Sequence, residues 1–416
     1  MDPLGRRSRV WRRRRRNAYR YLLGAAYTSY LGDGLVVAAL PLLATTLTRR
    51  PLLISGLLTS QQLPWLLFGI PAGAVVDRLE RGNLMRSIDI SRMLITALFS
   101  LAVALRRDPI WLLYAFALVL GTFQPPFSGA TNSLLPDLVP ADALGRANGQ
   151  LMVAQSIGEQ TAGPALGSFL YSLAKALPFA GDSLSFALSA VFLGRVRGWS
   201  SPPTEESAGS GVISSLRLGL SEWRKNSVVK STTLMLSTIT FFQSMVFGLL
   251  VLYALEQIHL PRVDYGLFLA VAALGNAAGG TAAAALSGRA NISHLVVVGI
   301  AIVGATWIGL GLTHSIPVAF GVAAIEGLAT SIASVAATTL RQLYTKREVL
   351  GRVTTFSRSL VVGAGLLGSI FGGLLASAHG ISTTMVIAGL GGIGTACVFA
   401  LPVVRSATRS SRAQRS

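Results

Sequence analysis

Residues 293–313 read SHLVVVGIAIVGATWIGLGLT, twenty-one positions without a single Asp, Glu, Lys or Arg. An α-helix needs about 20 such residues to cross a bilayer core of about 30 Å. Runs of this kind recur along the chain. Twelve are read, at about 19–47, 52–77, 83–105, 109–132, 144–172, 178–197, 229–257, 264–287, 293–313, 316–343, 350–377 and 382–404. Composition agrees: 51% of the 416 residues are hydrophobic and 13% charged, where a soluble domain carries about 25% charged residues. The 44 glycines also suit membrane helices, in which a missing side chain lets two backbones approach closely. The expected fold class is an all-α polytopic membrane protein with twelve transmembrane helices.

The net charge of +19 raises the possibility of nucleic acid, and the positions of the charges reject it. Nine arginines crowd the first twenty residues, including the run Arg12–Arg16. The connections after odd-numbered spans carry only Arg49, Arg50, Arg106, Arg107, Lys175 and Arg262 among 36 basic residues. Nearly all the others fall at the termini or in even-numbered connections. The positive-inside rule then puts both termini in the cytoplasm, in a multi-pass protein of the inner (cytoplasmic) membrane. Basic termini also meet anionic lipid headgroups, at about 1 kcal/mol per residue near the surface. The apolar run after the arginines is too long for a secretory signal. One cysteine, Cys397, excludes an internal disulfide and a cysteine metal cluster, and four scattered histidines suggest no metal site. No cofactor is expected.

An even span count divides the chain into a basic tail (1–18), a six-helix bundle (19–197), a linker (198–228), a second six-helix bundle (229–404) and a basic tail (405–416). The linker opens on the flexible SSPPTEESAGSG. Beyond it, Ile213, Leu216, Leu220 and Trp223 recur at helical spacing, which predicts an amphipathic helix at the cytoplasmic interface. The two halves resemble each other at an offset of 206: Leu144-Gly145-Arg146 matches Leu350-Gly351-Arg352, and Gly167 matches Gly373. Two pseudo-symmetric six-helix bundles with a midplane site are the build of a rocking transporter.

Four motifs carry a family resemblance. GAVVDRLERGNLM, after span 2, contains Gly73, Asp77, Arg78 and Arg81. QPPFSGATNSLLPDLVPADALGRANG (Gln124–Gly149) follows span 4, GDSLSF (Gly181–Phe186) opens span 6, and TLRQLYTKREVLGRV (Thr339–Val353) precedes span 11. The first resembles motif A of the major facilitator superfamily. The ordered set resembles that superfamily's drug:proton antiporter-3 branch, the transmembrane secretion effector family, whose members include an enterobactin exporter and macrolide efflux pumps. The resemblance implies that motif A latches the cytoplasmic side shut. Gly73 would let spans 2 and 11 approach, Asp77 would face the positive end of a helix, and Arg78 and Arg81 would find carboxylates or lipid phosphates. Asp89 and Arg92, in SIDISRML, read as further members of the latch. In span 5, Gly158, Gly163, Pro164 and Gly167 resemble motif C, the antiporter motif.

Ionisable residues inside spans are costly, at least about 2.5–3.5 kcal/mol on insertion scales, and so point to function. Asp33 in span 1, Glu159 in span 5, Glu326 in span 10 and Arg358 in span 11 are the candidates for proton coupling or substrate contact. A carboxyl in low dielectric can load a proton on one side and release it on the other. An ion pair with Arg358 is the bland alternative. Gln124, Gln155, Gln243 and Asn276 are candidate polar cavity residues, and Asp182 and Glu256 read as helix caps or mouth charges. No nucleophile–base pair and no P-loop occurs, so an enzyme is not expected. The expected protein is a monomeric secondary-active exporter of small, largely apolar molecules (drugs, antibiotics or secondary metabolites), driven by proton antiport. A siderophore exporter, or a proton-coupled or uniport metabolite importer of the same fold, is the alternative.

Overall fold

The computed structural model describes residues 3–69, 72, 76, 79–196, 220, 221, 223, 224, 226–286, 292–344 and 347–413. Within them the chain is all-helical. In chain order the twelve helices are α1 (Pro3–Leu47), α2 (Pro51–Phe68), α3 (Arg81–Ala104), α4 (Ile110–Leu138), α5 (144–173), α6 (Leu177–Leu193), α7 (Ser227–Gln257), α8 (Tyr265–Leu286), α9 (Ile292–Leu312), α10 (Ile316–Tyr344), α11 (Arg347–His379) and α12 (Ile381–Ala413). Nine of these described helices are long and apolar enough to cross a membrane, and α6 is a shorter apolar helix. Helices suit that solvent because each satisfies its own backbone hydrogen bonds. Both basic tails are helical: α1 starts at Pro3 and α12 runs to Ala413, so each tail is continuous with its span. Arginine is a good helix former and extends a helix already nucleated. Gly380, at φ 87°, is the one residue between α11 and α12 and takes a conformation that favours glycine.

Contacts divide the chain into two compact units. One comprises Met1–Leu43 and Leu67–Gly209, the other Ala44–Leu66 and Ser210–Ser416. The split departs from chain order in one place, because most of α2 belongs to the second unit rather than to a bundle running from 19 to 197. The reason is local. Gly373 on α11 offers bare backbone to Leu52 and Ser55, Gly248 on α7 does the same to Ser55, and Thr59 Oγ1 bonds Ser369 Oγ at 2.6 Å.

Within the first unit, Phe99 of α3 stacks on Phe116 of α4 at 3.9 Å, and Phe179 of α6 meets Phe99 edge-on. Buried Leu22, Met85 and Leu134 belong to a further apolar cluster to which α1, α3, α4, α5 and α6 contribute. In the second unit, small residues set the helix pairs: Gly304 of α9 against Gly389 of α12, Gly279 of α8 against Leu328 of α10, and Gly368 of α11 against Phe241 of α7. Close backbone approach of this kind replaces the hydrophobic effect, which is weak between helices in lipid. Of the expected amphipathic linker helix, Ile213 and Leu216 lie outside the described residues. Trp223 is described and packs edge-on against Phe356 of α11 at 5.6 Å.

Candidate functional site

The first unit builds its polar site where α1 and α5 touch. A Cβ on Gly34 would collide with the Gly158 carbonyl, and one on Gly163 with the backbone of Gly34. Gly158 lies against Tyr30 and Leu31, and Gly167 against Leu35. All three motif C glycines therefore face α1. Pro164 has no N–H to give, and the turn before it widens into a π-helix over Ser156–Ala162, where the Gly163 N–H reaches back to the Gly158 carbonyl. Glu159 sits in that turn. Gln155 Nε2 donates to Glu159 Oε2 at 2.9 Å. On α1, half-buried Asp33 lies between Gly32 and Gly34.

Two further helices bring charge to the same place. Asp89, Arg92 and Thr96 lie on one face of α3, each no more than 1% exposed. Ser189 Oγ on α6 donates to Asp89 Oδ2 at 2.5 Å, and Arg92 Nη1 stands 3.9 Å from Asp89 Oδ1. The Arg92 guanidinium is held between two rings, Phe127 of α4 at 5.0 Å and Phe186 of α6 at 5.4 Å. Asp182 of α6 is 0% exposed. Ser185 Oγ donates to the Asp182 carbonyl at 2.7 Å. A side chain on Gly32 would overlap Ser185 and Asp182, so α1 can approach α6 only through a glycine. Arg92 is in Coulombic reach of Asp33, Asp89, Glu159 and Asp182.

The sequence predicts Asp182 at a cap or mouth and Asp89 and Arg92 in the latch; the structure buries all three side chains within α3 and α6, in Coulombic reach of Asp33. Their signal was present, since each is an ionisable residue within an apolar run, but nearness to a run's end outweighed it. Of motif A, Gly73, Asp77 and Arg78 lie outside the described residues. Arg81 donates to Asp137 Oδ2 of α4 at 2.7 Å and to the Ser133 carbonyl at 3.1 Å, within the first unit.

The second unit holds a separate network. Glu326 of α10, 7% exposed, accepts from Thr330 Oγ1 at 2.9 Å and from the side chains of Gln243 on α7 and Trp307 on α9. Gln243 is thus no isolated amide, and Glu326 ties three helices together. Arg358 is exposed, and its guanidinium lies 4.1 Å from the Trp65 ring centroid. Its partner is an aromatic face; among the described residues no carboxylate comes within ion-pair distance of it. Gln124 on α4 and Asn276 on α8 are half-buried and join neither network.

Apolar helices of spanning length with ionisable side chains embedded at glycine crossings define a multi-pass membrane transporter. A family model for the Major Facilitator Superfamily matches residues 22–356 and again 233–416, and the chain belongs to that superfamily. Membership places it among transporters rather than enzymes. The chain is 26% identical over 389 residues to an uncharacterized MFS-type transporter, YfiS, of Bacillus subtilis (strain 168), covering 88% of this chain and 89% of that one. Solved structures share the fold, two of them as follows. A bacterial homolog of the human lysosomal transporter Spinster aligns with a TM-score of 0.73 at 17% identity, over 95% of this chain and 98% of that chain. The nucleoside transporter NupG (D323A mutant) aligns with a TM-score of 0.74 at 11% identity, over 93% and 98%.

Proposed function

We propose that this transporter exports small, largely apolar molecules by proton antiport with alternating access, and that it belongs to the drug:proton antiporter-3 branch. The observation that carries the reading is the meeting of Asp33 and Glu159 at the α1–α5 glycine crossing, in the field of Arg92. Carboxyls within membrane-spanning segments need a reason, and carrying protons is one. One charge crossing the membrane potential supplies about 2.3 kcal/mol per 100 mV, enough to drive export when proton and substrate compete. Exposed Arg358 on Trp65 is a candidate substrate contact. Both termini face the cytoplasm, where the arginines meet anionic lipid. A monomer suffices.

Everted vesicles test this directly, with accumulation of a dye or antibiotic measured with and without a pH gradient. Uptake that collapses with the gradient, and that Asp33→Asn abolishes at normal expression, supports antiport. Uptake indifferent to the gradient defeats it in favour of a uniporter. A drug-susceptibility panel in an efflux-deficient host, comparing the chain with its Asp33→Asn form, identifies the substrate class.

A further inference from the structure

The first unit holds more buried charge than Asp33 and Glu159. α1 contributes Asp33 and Tyr30, α3 contributes Asp89 and Arg92, α5 contributes Glu159 and α6 contributes Asp182. From α4, the neighbour of Arg92 is the uncharged Phe127. Among the described residues, four carboxyls thus lie in Coulombic reach of one guanidinium, which stands 3.9 Å from Asp89 Oδ1. Fully ionised, the set would hold three uncompensated negative charges. Ionised side chains within membrane-spanning segments are costly, and more so without a counter-charge. Charge balance therefore requires protons on the carboxyls, or a bound cation. Among the described residues no group of three or more acids, histidines or cysteines is arranged to hold a metal ion.

Bonding narrows the choice. Among the described residues, Asp182 Oδ2 is buried without a hydrogen-bond partner, as are Asp89 Oδ1 and Arg92 Nη2. Ser185 Oγ lies 3.4 Å from Asp182 Oδ1, a marginal bond beside its 2.7 Å bond to the backbone. A bare, buried carboxylate oxygen is expensive, whereas a carboxylic acid is neutral and brings its own donor. Arg92 is suited to a set whose charge moves. Its guanidinium rests between two aromatic faces and is not locked to Asp89, so it can balance whichever carboxyl is ionised.

We propose that Asp182 is a second proton-carrying group of this transporter, exchanging its proton with Asp33 while Arg92 serves as their common counter-ion beside Asp89. The inference rests on the antiport reading. In the exchange, the O–H bond at Asp182 breaks and one forms at a previously ionised Asp33. The negative charge passes to Asp182, and Arg92 stays protonated throughout. Asp89, held by Ser189, and Arg92 act as positioning residues.

The test is pH-dependent infrared difference spectroscopy on the purified full chain, paired with proton release to an indicator dye on an alkaline jump. Neither readout needs a substrate or a gradient. Asp182→Asn is expected to remove a carboxylic-acid C=O band and to lower the protons released per chain. Asp33→Asn should remove a different band and shift that of Asp182. If Asp182→Asn does not accumulate, Ser185→Ala takes its place and is expected to shift the Asp182 band. Unchanged bands in these variants overturn the proposal, and so does loss of the acid bands on adding sodium, which would make a metal cation the balancing charge. Transport indifferent to the pH gradient, with the Asp182 band present, refutes antiport alone. Gradient-driven transport without that band refutes this inference alone.

Discussion

Gly34→Ala tests the crossing on which the polar site stands. The added Cβ would lie 2.8 Å from Gly163 Cα and 3.0 Å from Glu159 Cα, besides colliding with the Gly158 carbonyl. Every obstacle is backbone, so no side chain can swing aside. Restoring an ordinary 3.4 Å contact with Gly163 requires α1 and α5 to part by at least about 0.6 Å. A gap of 0.5–1 Å forfeits about a quarter to a half of each dispersion contact across it. Overpacking of this kind costs about 1–3 kcal/mol. Against it stands the better helix propensity of alanine, about 0.8–1.0 kcal/mol. The control is Gly363→Ala on α11, where a Cβ meets nothing within 4 Å and only the propensity gain applies. The difference between the two variants cancels propensity and leaves the steric cost of about 1–3 kcal/mol. Thermal unfolding in detergent, followed by tryptophan fluorescence, reads both. Gly34→Ala matching or exceeding Gly363→Ala in stability would show that α1 and α5 are not in backbone contact.

Three further outcomes are expected. Glu326→Ala strands the Gln243 and Trp307 donors and should cost about 2 kcal/mol or more in thermal unfolding, while Glu326→Gln keeps an acceptor and should cost less; equal losses would contradict the tether. Asp137→Asn weakens a partly buried, charge-assisted bond but leaves Arg81 its bond to the Ser133 carbonyl, so stability should fall by about 1.5–3 kcal/mol in the same assay. Asp77→Asn should slow turnover in vesicles without changing substrate affinity, and unchanged turnover would argue against a motif A latch.

The apolar runs determined by themselves that the chain crosses a membrane on many helices, because hydrophobic length is a one-dimensional property. The packing face of Gly158, Gly163 and Gly167 was equally legible as spacing, since residues on one face of a helix lie a fixed number of positions apart. Asp33 and Glu159 stood out as charges in apolar surroundings. Tertiary structure alone decided which helices those faces meet. It gave α2 to the second unit through Gly373 and Gly248, joined Gln243 and Trp307 to Glu326, and set Arg358 on Trp65. It also drew Asp89, Arg92 and Asp182 from two other helices to the place where Gly32 and Gly34 admit close neighbours. Helical periodicity fixes the face a residue occupies, but lipid-embedded helices choose partners by backbone fit, and that fit exists only in three dimensions.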